Sequence, residues 1–372
     1  MPNYSILHKQ DIFITEKYEP DIRRDELSFL SRSFERHFNE RPYLHHTCYL
    51  FLTKTTKERS RQQSNWNTLC RGFLVPKEIR DKETVERFME AVGQFESIVN
   101  DSGLVRLERL TTEEITGTEN EPGIIERYLT LSADGTTMLQ DMQLNPDGMR
   151  IGDKRLCLHT LSDLDDLPGK VRTDGRYERL STDRSDCRLS HAAPVGVMLP
   201  CDHIYNQWIF IDDSNENLSR FEKAAKNMQS LSRYSRSNQI NKEWLDEYLN
   251  EAHSNGLQSI RCHCNVIAWA ENGEELRRVK NDVGSALALM ECTPHHNTTD
   301  LPAVYWAGIP GNEADFPSEE TFYTFTGQAL CFFTAETCYR NSLSPFGIRM
   351  VDRLTGKPVF LDISDLPMKK GI

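Results

Sequence analysis

Apolar residues in the first part of the chain recur with two different periods. Alternating or continuous apolar runs predict strands, and spacings of three and four predict helices. Strands are expected at residues 4–18 (one or two short strands around 12–14), 48–53, 71–75 and 104–110. One helix is expected from Pro20-Asp21 to Pro42, with an apolar stripe formed by Leu27, Leu30, Phe34 and Phe38. Another is expected after an N-cap at Asp81, with an apolar stripe formed by Val85, Phe88, Met89, Val92 and Phe95. This order predicts an α/β layer with its helices on one face.

The last part of the chain shows the same two periods. Residues 193–199 and 204–211 are expected to pair as antiparallel strands, and residues 259–270 to form another strand. Four helical stripes follow the spacing of three and four: Leu218, Phe221, Ala225, Met228 and Leu231; Trp244, Leu245, Tyr248, Leu249 and Ala252; Leu276, Val279, Val283, Leu287 and Met290; Phe322, Phe325, Ala329 and Phe333. Gly256 is expected to end the second helix, Asn272 to cap the third and Ser318 to begin the fourth.

Between these two parts the periodicity weakens. Acidic and Gly/Pro-rich turns bracket a short predicted helix at 124–131 and a predicted strand at 155–160. The predicted organisation is therefore a first α/β lobe at 1–110, an elaborated connection at 111–189 and a second α/β lobe at 190–372. The fold class is α/β (α+β), with two mixed-sheet lobes and helices packed on the sheets.

The segment 341–372 predicts a β-hairpin that closes the second lobe. Apolar and polar residues alternate on both sides of Leu354-Thr355-Gly356-Lys357. Gly356 can adopt the positive φ that such a turn needs. Because the hairpin is apolar at alternate positions, one of its faces is expected to pack on the second lobe.

Composition restricts the function classes. The chain has 372 residues, a net charge of −12 and a mean hydropathy of −0.58. An acidic chain is a poor default binder of nucleic acid, since the phosphate backbone attracts a basic face. No run approaches the roughly 18 apolar residues of a membrane-spanning helix. The ten cysteines are scattered, which favours reduced thiols in a cytosolic compartment.

The sequence contains no phosphate-binding loop. Such a loop needs the pattern GxxxxGK[ST], and neither Pro168-Gly169-Lys170 nor Thr355-Gly356-Lys357-Pro358 fits it. We therefore predict no cofactor for this chain and no ATP-dependent activity.

Several other residue sets bring together the types that a metal or catalytic site needs. A zinc site could use Cys262, Cys264, Cys292 and His295, but Cys262 and Cys264 share a predicted core face, so buried thiols are the preferred interpretation. Surface or capping roles are preferred for the pairs His45-His46 and His295-His296, and a solvated turn for Asp163, Asp165 and Asp166.

Ser190-His191 and Cys201-Asp202-His203 supply the residue types of a nucleophile and its base, without an elbow motif. The cluster Lys54, Lys57, Arg59 and Arg61 could contact a polyanion, but a solvated loop is preferred. A second set mixes cations with aromatic residues and could contact DNA, but a polar connection between two helices is preferred: Arg233, Tyr234, Arg236 and Trp244. No catalytic, cofactor-binding or metal-binding residue is predicted. A free-standing enzyme with a Cys/His/Asp site and a DNA-binding adaptor remain alternatives.

Seven segments, in order and covering nearly the whole chain, resemble the TraG-family conjugation ATPases. They are FLSRSFERHFNERPYLHHTCYLFLTKTTKER (29–59), LCRGFLVPKEIRDKETVERFMEAVGQFE (69–96), GDKRLCLHTLSDLDDLPGKV (152–171), LSTDRSDCRLSHAAPVG (180–196), NMQSLSRYSRSNQINKEWLDEYLNEAHS (227–254), VYWAGIPGNEADFP (304–317) and NSLSPFGIRMVDRLTGKPVFLDISDLPMKKGI (341–372). In that family a stretch like LDISDLPMKKGI leads into the phosphate-binding loop. Family members also carry a further stretch ahead of something like PNYSILHKQD, so Met1 is expected to be an internal start or the chain a fragment.

The resemblance implies that the chain corresponds to the N-terminal, non-motor region of such an ATPase, which is a motor protein of conjugative transposons and type IV secretion systems. Its expected role is docking and assembly at the cytoplasmic face of the inner membrane, in contact with the membrane components of a DNA-transfer channel. Self-association is a further possible partnership. ATP and magnesium are expected only for a C-terminal motor domain absent from this chain. The closing hairpin is expected to couple this region to that domain.

Overall fold

The computed structural model describes residues 4–18, 29–39, 41–56, 81–132, 140–145, 148–171, 175–231, 235–296, 298–336 and 348–362. Its strands are β1 (Ser5–Glu16), β2 (Tyr43–Lys54), β3 (Met142–Asn145), β4 (Gly148–Ile151), β5 (Lys154–Leu161), β6 (His203–Ile211), β7 (Ser259–Ala270), β8 (His295–His296), β9 (Phe322–Phe325), β10 (Ile348–Val351) and β11 (Pro358–Leu361). Its helices are α1 (Phe29–Asn39), α2 (Lys82–Asp101), α3 (Thr112–Thr116), α4 (Ile124–Thr130), α5 (Ser214–Leu231), α6 (Arg236–Asn255), α7 (Gly273–Leu289), α8 (Leu301–Ala307) and α9 (Thr326–Leu330).

One antiparallel sheet dominates the described residues. Its strand order is β2-β1-β6-β7-β5-β4-β3, with β8 added to β5 and β9 added to β7. Every pairing in it is antiparallel. Strands β10 and β11 form a separate two-stranded hairpin.

The predicted mixture of helices and strands is confirmed, but the arrangement of the strands is not the predicted one. Strands from all three predicted segments join the same sheet, and they do so in antiparallel register, so the prediction of two separate mixed sheets is corrected to one antiparallel sheet. The link is made by β1, which pairs with β6 from Ser5↔Ile211 to Phe13↔His203. Apolar periodicity identifies strands but carries no information about which distant strand they pair with.

Both faces of the sheet are covered. On one face, α4 and α8 pack against a core of aromatic and branched residues that includes Trp208, Trp269, Tyr128 and Tyr305. On the other face, the apolar stripe of α7 packs against β5, β6 and β7. The paired helices α5 and α6 pack beside β9 through Phe325. Because β7 is covered on both faces, all twelve of its residues are buried.

Three predicted elements are wrong. Residues 104–110 form no strand, since Leu107 hydrogen-bonds the Asn100 side chain instead of a neighbouring strand. Residues 193–195 form a 3-10 turn, and its Pro194 cannot donate to a ladder, so β6 pairs with β1 and β7. Residues 322–325 form β9 and not a helix, because they pair with β7.

The remaining elements lie close to their predictions. Asn272 caps α7 by accepting from the Glu275 amide, and Gly256 ends α6 with a φ of 60°. Gly356 has a φ of 74° in the β10–β11 turn, as predicted. Several predictions fall on residues outside the described ranges. They are the helix start at Pro20-Asp21, the strand at 71–75, and the roles of Lys57, Arg59, Arg61, Arg233 and Tyr234. Within the described part of the chain, no helix combines the length and apolar character needed to cross a membrane.

Candidate functional site

Polar side chains occupy the centre of the sheet. The middle of β1 carries four consecutive polar residues, His8, Lys9, Gln10 and Asp11, and each of them is buried. Successive side chains of a strand point to opposite faces, so Lys9 and Asp11 lie on one face and His8 and Gln10 on the other. Each pair takes part in its own hydrogen-bonded network.

On the first face, Asp11 is the centre of a charged network. Its carboxylate accepts from Lys9 Nζ, from His46 Nε2 at 2.9 Å and from Thr334 Oγ1 at 2.8 Å. Gln207 Nε2 adds a longer contact at 3.4 Å. Burial alone would raise the pKa of the Asp11 carboxyl, but the His46 hydrogen bond and the charge of Lys9 outweigh it and hold this pKa well below its ordinary value. Asp11 is therefore an ionised carboxylate.

On the second face, side-chain amides connect two histidines. Gln10 Nε2 donates to Asn206 Oδ1 at 3.1 Å, and Asn206 Nδ2 donates to Asn265 Oδ1 at 3.1 Å. Asn265 Nδ2 lies 2.9 Å from His263 Nε2, and His8 Nε2 lies 3.0 Å from Asn206 Oδ1. All of these side chains are buried, so the network is closed to solvent.

The donors and acceptors of this network determine both histidine tautomers. His263 Nδ1 faces the carbonyl oxygen of Glu320 at 2.6 Å and must carry the proton, which leaves Nε2 to accept from Asn265. His8 must carry its proton on Nε2, where Asn206 Oδ1 accepts it. A second proton on His8 would have no acceptor, since His8 Nδ1 has no hydrogen-bond partner. A second proton on His263 Nε2 would face the Asn265 amide nitrogen, which is itself a donor. Burial lowers the pKa of His8 and of His263 to about 3.

An open cleft lies beside the charged network. It has a volume of about 1080 Å³ and is bounded by the β10–β11 hairpin, residues 187–191 and residues 330–336. Phe333 and Ala335 line the cleft, whereas Thr334 between them is buried and donates to Asp11. The ionised network therefore supports one wall of the cleft without being exposed in it.

Ser190 and Glu336 form a hydrogen-bonded pair in the lining of the cleft, which also includes Arg188, Asp352 and Arg353. The Glu336 carboxylate accepts from the Ser190 amide at 2.5 Å and from its hydroxyl at 2.7 Å. Much of the remaining lining is apolar, including Leu189, Met350 and Leu361. The cleft therefore combines an apolar lining with a few polar and charged groups, which is the usual composition of a binding site.

The hairpin that bounds the cleft contacts strand β2 of the sheet. The Leu44 amide donates to the Thr355 carbonyl at 3.3 Å, and Lys357 Nζ lies 3.3 Å from His45 Nδ1. Asp352 Oδ1 accepts from the amides of Leu354 and Thr355, which holds the turn. These contacts join the hairpin to β2, which belongs to the predicted first lobe, and the packing of the hairpin on the second lobe stays a prediction.

The structure does not assemble the sequence-derived nucleophile candidates into a triad. The Ser190 hydroxyl donates to Glu336 and not to a histidine. Asp202 accepts from Thr15, and both ring nitrogens of His203 face backbone carbonyls. Burial raises the pKa of the Cys201 thiol to about 12, so this thiol is not a ready nucleophile.

The four candidate zinc ligands are distributed over different parts of the fold. Cys262 packs in one apolar cluster, and Cys264 and Cys292 pack in another. Burial raises the thiol pKa of Cys264 and of Cys292 to about 12. His295 instead lies 2.8 Å from Asp166 Oδ1.

Asp163, Asp166 and His295 do come together, with their ligand atoms within 4.8 Å of one another. Asp166 is buried, which corrects the prediction of a fully solvated turn. Its Oδ2 accepts from the amides of Ser162 and Asp163, and its Oδ1 faces His295, so both oxygens already have protein partners.

Comparison with known proteins gives no assignment: no family model and no curated protein matches the chain.

The sequence interpretation missed both buried networks. It assigned His46 a surface or capping role, whereas the ring is buried against Asp11. A usable signal was present: the polar runs HKQD (8–11), NQ (206–207) and HCN (263–265) interrupt stretches that are otherwise apolar. Polar residues at the same level of neighbouring buried strands indicate a hydrogen-bonded layer inside the sheet.

Proposed function

We propose that this chain is the N-terminal docking and assembly region of a TraG-like conjugative-transfer ATPase. In this role it contacts inner-membrane components of a type IV secretion channel and is peripheral at the cytoplasmic face of that membrane. The observation that supports the proposal is the ordered resemblance of seven segments over nearly the whole chain. The cleft, with its largely apolar lining, and the contact between hairpin and sheet are consistent with a protein-binding role.

Co-purification with defined partners tests the docking role. The chain is expressed alone or together with the inner-membrane proteins of a conjugation channel, and membranes are then solubilised in mild detergent. We expect the chain to sediment with membranes and to co-elute with these proteins only when they are present. A chain that never co-elutes with any of them contradicts the docking role.

The absence of a phosphate-binding loop from the sequence leads to a direct prediction. The isolated chain is expected neither to bind nor to hydrolyse ATP, because it lacks the Lys and hydroxyl that hold the phosphates and magnesium. Calorimetric titration with Mg-ATP should give no saturable heat, with an intact P-loop ATPase as positive control. Micromolar affinity for ATP would contradict the prediction.

The alternatives predict different results with the same preparation. A free-standing enzyme would turn over a substrate without added partners. A DNA-binding adaptor would retard single-stranded DNA with a steep salt dependence, which the net charge of −12 disfavours.

The turn of the hairpin allows a test of coupling to a motor domain. Gly356→Val places a β-branched residue at a φ of 74°, at a cost of about 1–2 kcal/mol. In a longer protein that includes the motor domain, we expect this change to lower ATPase activity without altering any nucleotide contact. The control is Gly284→Val within α7, where an added Cβ also meets no atom within 4 Å but φ is not positive. Equal ATPase activity of the two variants would argue against coupling through the hairpin.

A further inference from the structure

A small cavity lies between helix α4 and the sheet, with a volume of about 60 Å³. Ile12 of β1 pairs with Thr47 of β2 and with Ile204 of β6, and all three side chains line the cavity. Residues directly opposite each other in antiparallel strands point to the same face, so these strands form one continuous wall. Tyr128 and Leu131 line the cavity from the side of α4. We call this cavity the α4 pocket.

The wall on the side of α4 is held in place by hydrogen bonds. Tyr128 and Tyr305 each donate a hydroxyl hydrogen bond to the carbonyl oxygen of the other, at 2.9 and 2.8 Å, which fixes the Tyr128 ring. Leu131 has a φ of 50°, which is uncommon for leucine, and Lys154 Nζ donates to its carbonyl oxygen. A ligand therefore meets an ordered pocket, which lowers the entropy cost of binding.

Two hydrogen-bond donors of the lining have no acceptor among the described residues. Trp269 is 4% exposed, and its indole Nε1 is buried without a hydrogen-bond partner. Arg127 lies at the mouth of the pocket, where its side chain is exposed and forms no ion pair with a described carboxylate. An indole N–H and a guanidinium can only donate hydrogen bonds. The pocket therefore suits a ligand that brings acceptor atoms.

The charges at the mouth of the α4 pocket favour an anion. The described lining contains one carboxylate, Glu16, which already accepts from the Tyr43 hydroxyl at 2.8 Å. Arg127 is one nearby cation, and Lys357 is another, since its Nζ lies 3.3 Å from Nδ1 of the lining residue His45. A ligand carboxylate would therefore meet a guanidinium that has no competing carboxylate among the described residues, and such charge-assisted hydrogen bonds are the strong ones.

The volume of the pocket limits the size of the ligand. One water molecule needs about 10–15 Å³ of such a cavity, so 60 Å³ holds about four to six small groups. An engineered apolar cavity of about 150 Å³ accommodates benzene. An aliphatic chain of about three or four carbon atoms therefore fits the α4 pocket, whereas an aromatic ring exceeds it.

We propose that the α4 pocket binds a short-chain aliphatic carboxylate. Its chain contacts Ile12, Ile204 and the Tyr128 ring, and its oxygens accept from Arg127 and from Trp269 Nε1. In a pocket this small, a carboxylate lies near every part of the lining, so one head group reaches both donors. The apolar walls strengthen the pairing with the guanidinium by lowering the local dielectric. The site is additional to the proposed docking function and does not depend on it.

Ligand-detected NMR with the full chain measures the binding, because ligands of about six heavy atoms bind weakly. The probe is n-butyrate at pH 7.5. Among the comparison compounds, n-butylamine and n-butanol have the same chain length without the carboxylate, and benzoate has the carboxylate with a larger body. We expect butyrate to bind at least about fivefold more tightly than each of them. Equal affinity for any of the three, or no saturable binding of butyrate, overturns the proposal.

Arg127→Gln tests the contact with the head group. Because the side chain is exposed and unpaired in the described fold, the melting temperature should not change. We expect butyrate binding to weaken about tenfold, since a hydrogen bond to a charged group is lost. The matched control is Arg277→Gln, at an exposed arginine of α7, which should bind butyrate normally. Equal affinities of the two variants overturn the proposal.

Trp269→Phe tests the indole donor, since it keeps an aromatic ring and removes the N–H. We expect butyrate binding to weaken about threefold to tenfold. The matched control is Trp208→Phe, because Trp208 Nε1 is also buried without a partner but Trp208 lies outside the lining. Circular dichroism shows whether both variants fold, and if Trp269→Phe does not, the Arg127→Gln result decides. Unchanged binding by a folded Trp269→Phe overturns the assignment of the indole as a ligand donor.

Discussion

Replacing Leu287 by Asp is expected to unfold the part of the protein that contains α7. Leu287 is 1% exposed and packs in the apolar cluster between α7 and the sheet. Losing its apolar burial costs about 2–5 kcal/mol, and a buried carboxylate without a partner adds several more. Since domains are stable by only about 5–15 kcal/mol, the sum removes most or all of that stability.

Helix α7 provides a matched control for this substitution. Leu289 lies two residues further along and is 73% exposed, so Leu289→Asp removes little apolar burial. Its carboxylate sits near the C-terminus of the helix, where the helix dipole makes it unfavourable by about 0.3–1 kcal/mol. Circular dichroism should show a cooperative melt for Leu289→Asp, slightly lowered, and none for Leu287→Asp. A native-like melt for Leu287→Asp would show that the apolar stripe of α7 is not part of the core.

The sequence predicted those elements whose local pattern agrees with their final environment. The stripe of α7 is such a case, because the residues spaced by three and four are the ones that face the sheet. Strand β7 is another, since Ser259–Ala270 is buried on both faces and its residues form an almost continuous strand pattern. In both, local propensity and tertiary packing favour the same structure.

Prediction from the sequence failed where one segment fits both a helical and a strand pattern, and where the structure of a segment depends on pairing with distant parts of the chain. The aromatic residues Phe322, Phe325, Ala329 and Phe333 satisfy helical spacing, yet the first two belong to β9 because the free edge of β7 pairs with them. The polar run of β1 has the appearance of a surface strand. It becomes the centre of the sheet only because β2 and β6 flank it, and β6 comes from about two hundred residues later.

The contacts that join the charged network could not be predicted from the sequence, for a related reason. Asp11, His46 and Thr334 are far apart in the sequence and meet only after β1, β2 and the segment after α9 have packed together. No spacing rule connects them. The cleft likewise depends on where the hairpin lies relative to the sheet, which its own alternation of apolar residues does not encode.

The second large effect expected is a loss of stability in mild acid, caused by four buried histidines. Burial lowers the pKa of His8 and His263 to about 3 and that of His159 and His203 to about 4. In the unfolded chain these rings titrate near pH 6.5. Above that pH they are neutral in both states and stability does not depend on them. Below that pH the histidine rings bind protons in the unfolded state but stay neutral in the folded state, so acid favours unfolding.

The size of the expected stability loss follows from the number of buried histidine rings. Each histidine contributes about 1.4 kcal/mol per pH unit once the pH is well below 6.5, and all four act together down to about pH 4. The combined slope approaches about 5 kcal/mol per pH unit, which exhausts the stability of a typical domain within about two units. Asp11, whose pKa is held below its ordinary value, adds to the loss at lower pH because its ionised form is stabilised only in the folded state.

Urea unfolding at a series of pH values tests this expectation. The free energy of unfolding should be nearly constant from pH 8 to 7, fall steeply below pH 6 and reach zero before about pH 4.5. His159→Gln removes one titrating ring and should reduce the slope by about 1.4 kcal/mol per pH unit, since its Nδ1 has no partner to lose. A slope below about 1.4 kcal/mol per unit between pH 6 and 4.5 would mean that the buried rings accept protons in the folded state and that burial does not lower their pKa as expected.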